Sequence, residues 1–110
     1  MTKFETFKGK NNELYFRLVN EKGELIMSSE GYTQKENLLN GIESVKKNIA
    51  DPNRFEMKTS NDGKHYFNLK ASNGQVIGSS IFWNSPEIRN MWINTLKTEV
   101  PKAEIKILEN

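Results

Sequence analysis

Tyr15-Phe16-Arg17-Leu18-Val19-Asn20-Glu21-Lys22-Gly23 returns 51 positions later as Tyr66-Phe67-Asn68-Leu69-Lys70-Ala71-Ser72-Asn73-Gly74. Working outward at the same offset, Phe4-Glu5, Ile26, Ser28-Ser29, Glu36, Ile42 and Lys46 fall on Phe55-Glu56, Ile77, Ser79-Ser80, Glu87, Ile93 and Lys97 without a gap. A self-match at constant spacing marks a repeated supersecondary unit. The chain therefore divides into a first repeat, residues 1–51, and a second repeat with an additional final strand, residues 52–110. Each half holds about 50 residues, a size at which a core of its own is marginal. The halves are expected to share one core, and the tandem chain is expected to suffice as a monomer with an internal pseudo-dimer.

The period of the apolar residues sets the elements within each unit. A short alternating segment, Lys3 to Lys8 or Arg54 to Thr59, leads into a polar turn, of which Asn61-Asp62-Gly63 is the clearer. Period two then places Leu14, Phe16 and Leu18 on one face of a strand, and His65, Phe67 and Leu69 on its repeat. Tyr15, Arg17, Tyr66 and Lys70 point the other way. Gly23 and Gly74 close hairpins with positive φ and lead to third strands at Glu24 to Ser28 and Gln75 to Ser79. The period next lengthens to that of a helix, with Thr33 and Glu36, or Asn84 and Glu87, as expected capping boxes. Leu38, Ile42, Val45 and Ile49 form one apolar stripe. Arg89, Ile93, Leu96 and Val100 form the other, broadened by Met91 and Trp92. Pro52 and Pro101 stop the helices, and Ala103 to Leu108 supplies the final strand. The expected fold is α+β: two tandem β-β-β-α repeats, an antiparallel sheet with the helices packed on one face, and pseudo-two-fold symmetry.

The quoted segments resemble one known family. Tyr15-Phe16-Arg17-Leu18, Ser28-Ser29-Glu30-Gly31-Tyr32 and Gly41-Ile42-Glu43-Ser44-Val45-Lys46-Lys47-Asn48, in this order and spacing, are similar to the YegP-like family of small bacterial and archaeal tandem-repeat proteins. The resemblance covers nearly the whole chain. It implies three antiparallel strands against one helix per unit, pairs of units related by a pseudo-two-fold, and no assigned activity or catalytic residue. The second unit departs from the pattern: Ile81-Phe82-Trp83 replaces Glu30-Gly31-Tyr32, and Trp92 replaces Gly41.

Composition excludes several kinds of chemistry. The 110 residues include no cysteine, which removes disulfides, thiolate nucleophiles and thiolate metal sites. Sixteen basic and 14 acidic side chains leave a formal charge of +2, with no basic stripe of the kind a dedicated nucleic-acid binder carries. Met1 to Lys10 has no apolar run, so a cytoplasmic location is expected. The single histidine, His65, cannot serve as base for both serine pairs, Ser28-Ser29 and Ser79-Ser80. Those hydroxyls are expected to satisfy backbone groups instead. With one histidine and scattered carboxylates, no metal site, cofactor or acid–base pair is expected, and the chain is read as non-catalytic.

Two surfaces are candidates for binding. Tyr15, Arg17, Tyr66 and Lys70 are expected to project together from two central strands, aromatic beside cation, as a face on which single-stranded nucleic acid stacks. Ile81, Phe82, Trp83, Met91 and Trp92 form either a seam between repeats or an exposed patch for a protein partner, centred on Trp83 and Trp92. The primary reading is a non-catalytic binding or accessory module. Single-stranded nucleic-acid binding through Tyr15 and Tyr66 is the alternative.

Overall fold

The computed structural model describes residues 2–107. The first unit runs through strands β1 (Lys3–Lys8), β2 (Leu14–Val19) and β3 (Leu25–Ser28) into helix α1 (Lys35–Asn48). The second repeats it as β4 (Phe55–Thr59), β5 (His65–Lys70), β6 (Val76–Ser80) and α2 (Pro86–Glu99), then adds β7 (Glu104–Ile107). Short 3-10 turns at Pro52–Arg54 and Val100–Lys102 follow the helices. The seven strands form one sheet in the order β4-β5-β6-β3-β2-β1-β7.

The two units join where β3 and β6 pair antiparallel, Met27 opposite Ser80 and Ser28 opposite Ser79. Ser28 and Ser79 are repeat mates, so the pseudo-two-fold axis passes between them. On the core side of this axis a second pair of mates, Met27 and Gly78, lies in contact. Met27 is fully buried, and a Cβ on Gly78 would run into its methyl group. Only one of the two symmetric positions can carry a long side chain there.

Strand parity holds as expected. Phe4, Phe16 and Leu18 of one unit, with Phe67 and Leu69 of the other, are fully buried beneath the helices, which contribute Ile42, Val45 and Leu96, joined by Ile49 and Val100 just past the helix ends. Edge-to-face pairs Phe4–Phe16 and Phe55–Phe67, at 5.7 and 5.1 Å between centroids, repeat across the axis. Gly23 and Gly74 take φ of 83° and 84° in the equivalent hairpins.

Three expectations change. The sheet is mixed, because β7 pairs parallel to β1, Lys3 opposite Glu104 and Thr6 opposite Ile107. Parallel pairing requires a long return connection, which the whole second unit provides. Leu108 of the expected final strand lies outside the described residues. The helix caps sit one residue later than expected. Ser85, followed by Pro86 at the first helical position, accepts from the Ile88 N–H at 3.2 Å, while Gln34 begins α1 without a side-chain cap. Proline's fixed φ suits the first helical turn, which sets the start after Ser85. Finally, Met91 does not broaden the apolar stripe: it is 67% exposed.

Because Ile42 is fully buried between α1 and the sheet, Ile42→Ala is expected to cost about 2–5 kcal/mol. Chemical denaturation is the check, and a loss below roughly 0.5 kcal/mol would show that this helix face is not the core.

Candidate functional site

The expected aromatic cluster divides between the two faces of the sheet. Trp83 is buried and stacks on Phe67 at 6.1 Å and on Trp92 at 6.3 Å, with rings nearly parallel. In the first unit the same place holds Tyr32, stacked on Phe16 at 6.3 Å. Its ring end lies against Gly41, where an added Cβ would meet the hydroxyl and sit 2.8 Å from Cζ. Tyrosine over glycine in one unit and tryptophan against tryptophan in the other are thus two solutions to one packing problem. Trp83 is buried in the helix–sheet core, and Trp92 packs partly buried against that core while lining a hollow with Asn20, Glu21, Lys22 and Glu24 of the first unit. Phe82, whose neighbour Trp83 points inward, projects to the opposite side and lies on Tyr66 at 4.7 Å.

The serine pairs are structural at their second member. Ser29 Oγ accepts from the Phe16 N–H at 2.9 Å and donates to the Glu30 carbonyl at 2.8 Å. Ser80 Oγ does the same with Phe67 and Ile81, at 2.9 and 2.8 Å. His65 is held through its backbone, exchanging two 2.8 Å hydrogen bonds with Trp83. Among the described residues, no hydrogen bond joins His65 to a serine hydroxyl, and no group of three or more His, Asp or Glu side chains converges to hold a metal.

The helix-free face carries Tyr15, Arg17, Tyr66 and Lys70, as strand parity requires, but does not bring the two tyrosines together. β3 and β6 lie between β2 and β5, a separation of three strand steps or about 14 Å. Arg17 and Lys70 each have a carboxylate. Arg17 Nε lies 2.8 Å from Glu5 Oε1, and its guanidinium sits 5.0 Å above the Phe7 ring, which in turn stacks on Tyr15 at 5.7 Å. Lys70 Nζ lies 3.0 Å from Glu56 Oε2, while Asn68 donates to Glu56 Oε1 at 3.1 Å and accepts from Ser79 Oγ at 2.7 Å. Hydrogen bonds from Asn68, then Lys70, hold the Glu56 carboxyl below the usual carboxylate range.

Between the two tyrosines, beside the axis, lies a groove of about 320 Å³ lined by Leu25, Ser28, Ser79, Ser80, Ile81 and Phe82. Leu25 is 44% and Phe82 55% exposed. The groove has no symmetric apolar copy, since the mates of Ile81 and Phe82 are Glu30 and Gly31. Leu25 drew no attention in the sequence, because it stands where an extra residue enters β3: the register shifts between Leu18 and Val19 and turns Leu25 outward. For Phe82 the signal was available in the alternation with Trp83. A second hollow, about 130 Å³ between Leu14, Leu38, Leu39 and Ile107, is smaller than the roughly 300 Å³ at which ligand pockets begin.

The Tyr32–Gly41 contact gives a change of sign to test. Gly41→Ala gains about 1 kcal/mol of helix propensity but overpacks Tyr32, which costs about 1–3 kcal/mol. The expected net loss in the wild type becomes a net gain in a Tyr32→Ala background, measured by denaturant melts of all four variants. Burial first, then Glu30, pushes the Tyr32 hydroxyl above its ordinary value near 10. The folded protein therefore favours the protonated phenol, and its contribution to stability is full below pH ~10 and lost as pH rises through the shifted value. Tyr32→Phe is expected to flatten that alkaline decline in melts above pH ~10.

Comparison with known proteins agrees with this architecture. A domain of unknown function, DUF1508, matches the chain twice, over residues 10–56 and 60–106. A UPF0339 protein encoded 5′ of the ptx operon in Stutzerimonas stutzeri is 44% identical over 93% of this chain and 92% of its own. The UPF0339 protein YegP of Escherichia coli K12 is 40% identical over 94% of each chain. Among solved structures, the solution structure of E. coli YegP covers 99% of this chain and 94% of its own with a TM-score of 0.90 at 38% identity. A UPF0339 protein of Shewanella oneidensis has the same score at 36% identity, over 98% and 92%. With both repeats matched and the relatives aligned from end to end, the chain belongs to the UPF0339/YegP family of bacterial tandem-repeat proteins of unknown function.

Proposed function

We propose that this chain is a cytoplasmic, non-catalytic binding module whose contact surface is the helix-free sheet face, with the groove between Leu25 and Phe82 receiving an apolar side chain of a protein partner. The observation that carries this reading is the groove itself. Two large apolar side chains stand exposed in its lining on a face that no helix covers among the described residues, beside Ser28 and Ser79, whose hydroxyl donates to Asn68. Apolar walls with a few polar groups at the base are the usual composition of a side-chain pocket. Ser29 and Ser80 spend their hydroxyls on backbone groups, which supports a binding role over a nucleophilic one.

Single-stranded nucleic acid fits this face less well. Arg17 and Lys70 already face Glu5 and Glu56, so phosphates would have to displace carboxylates to be held, and phosphate contacts dominate such affinity. The two tyrosines also lie too far apart for adjacent bases to bridge them directly.

A photo-crosslinking amino acid at position 82, compared with position 91 on the exposed side of α2, tests the reading in cells. A discrete protein adduct is expected from position 82 and none from position 91, and Leu25→Ala is expected to lower its yield about tenfold or more, as for a contact at the centre of an interface. Equal adducts from both positions, or none from 82, would reject the sheet face. In parallel, a labelled short oligothymidylate is expected to show no anisotropy change at low salt. Binding lost in Tyr15→Ala/Tyr66→Ala would replace the protein reading with the nucleic-acid one.

A further inference from the structure

The two outer edges of the repeats are not alike. β1 carries β7 along its outer edge, whereas its repeat mate β4 ends the sheet and, among the described residues, pairs with β5 alone. An edge strand presents a row of unpaired N–H and C=O groups and is usually blunted by charge. In β4 the charges alternate. Glu56 and Lys58 stand opposite Asn68 and Tyr66 and so share the helix-free face, while Met57 stands opposite Phe67 on the helix side. Met57 is 49% exposed, and Lys58, whose charge reaches Glu56 along its own strand without closing a salt bridge, is exposed among the described residues. Glu56 keeps spare acceptor capacity beyond the bonds from Asn68 and Lys70, since a carboxylate offers about four lone-pair sites.

An arbitrary strand laid on this edge leaves the Lys58 ammonium without a carboxylate across from it. A second copy of β4 does not. Antiparallel pairing centred on Met57 sets Glu56 of each copy opposite Lys58 of the other, twice, and brings the two Met57 side chains together on the other face. Opposite charges directly across a strand pair are favourable, and like charges are not. We propose that the chain self-associates through β4 as a two-fold dimer, its two sheets joined into one continuous sheet and its two helix-free faces into one surface. The edge charges then act as a selector that admits a second copy and turns other strands away. The five-residue edge buries less than the roughly 1,000 Å² of a stable interface, so the dimer is weak and depends on concentration.

Sedimentation velocity and light scattering over a concentration series decide the matter. The wild-type weight-average mass is expected to climb from the 12.7 kDa of one chain toward twice that value. Lys58→Glu alone sets carboxylates face to face and Glu56→Lys alone sets ammonium groups face to face, so each is expected to remain at the mass of one chain. An equal mixture of the two restores complementarity and is expected to recover the dimer, which a folding defect in either variant would not allow. Lys106→Glu, on the opposite edge of the sheet, is expected to change nothing. A wild-type mass that never rises, a Lys58→Glu protein that still associates, or loss of association in Lys106→Glu would each overturn the proposal.

Discussion

Where β3 meets β6, every residue faces its own repeat mate or a close neighbour of it, and the rest of the structure depends on this junction. A unit of about 50 residues buries only a marginal core alone, so the halves depend on the sheet they share. The axis between Ser28 and Ser79 imposes a steric rule that identical repeats would break: two long side chains cannot occupy the same space on the core side. Met27 fills it and Gly78 yields. At this position the divergence between the repeats fits one long side chain into the space beside the axis.

Other divergences follow a similar logic and have different consequences. At the helix contact, the pair Tyr32 over Gly41 becomes Trp83 against Trp92, larger at both positions, with Trp92 only partly buried against the core. Beside it in sequence, the exchange of Glu30-Gly31 for Ile81-Phe82 places apolar area on the open face. Neighbouring substitutions thus serve opposite layers, because successive residues of an extended chain face opposite sides. The helix-free face is consequently asymmetric, with an apolar groove on one side of the axis, while Arg17 and Lys70 are held by carboxylates on both.

Much of this was legible in the chain, and the reasons are local. Phe16, Leu18, Phe67 and Leu69 alternate with Tyr15, Arg17, Tyr66 and Lys70, and alternation alone assigns each to its face. The helical stripe from Leu38 to Ile49 was equally plain. The caps were displaced by one residue because Thr33 and Asn84 offer the right chemistry, yet Pro86 sets the second start by its backbone geometry. Ile81, Phe82, Trp83, Met91 and Trp92 looked like one apolar cluster because composition does not record direction. Once Trp83 turns inward, Phe82 must turn outward, and the cluster separates.

The sequence by itself determined the repeat, its elements and the inward or outward sense of nearly every strand residue, since these rest on periodicity within a few residues. Only the tertiary structure decided the order of the strands, and with it the site. That order depends on pairings between segments far apart in the chain, such as Ser28 with Ser79 and Lys3 with Glu104. No local pattern encodes them. The β3–β6 pair sets Tyr15 and Tyr66 apart, brings Leu25 of the first unit beside Phe82 of the second, and leaves β4 as an open edge while β7 closes over β1.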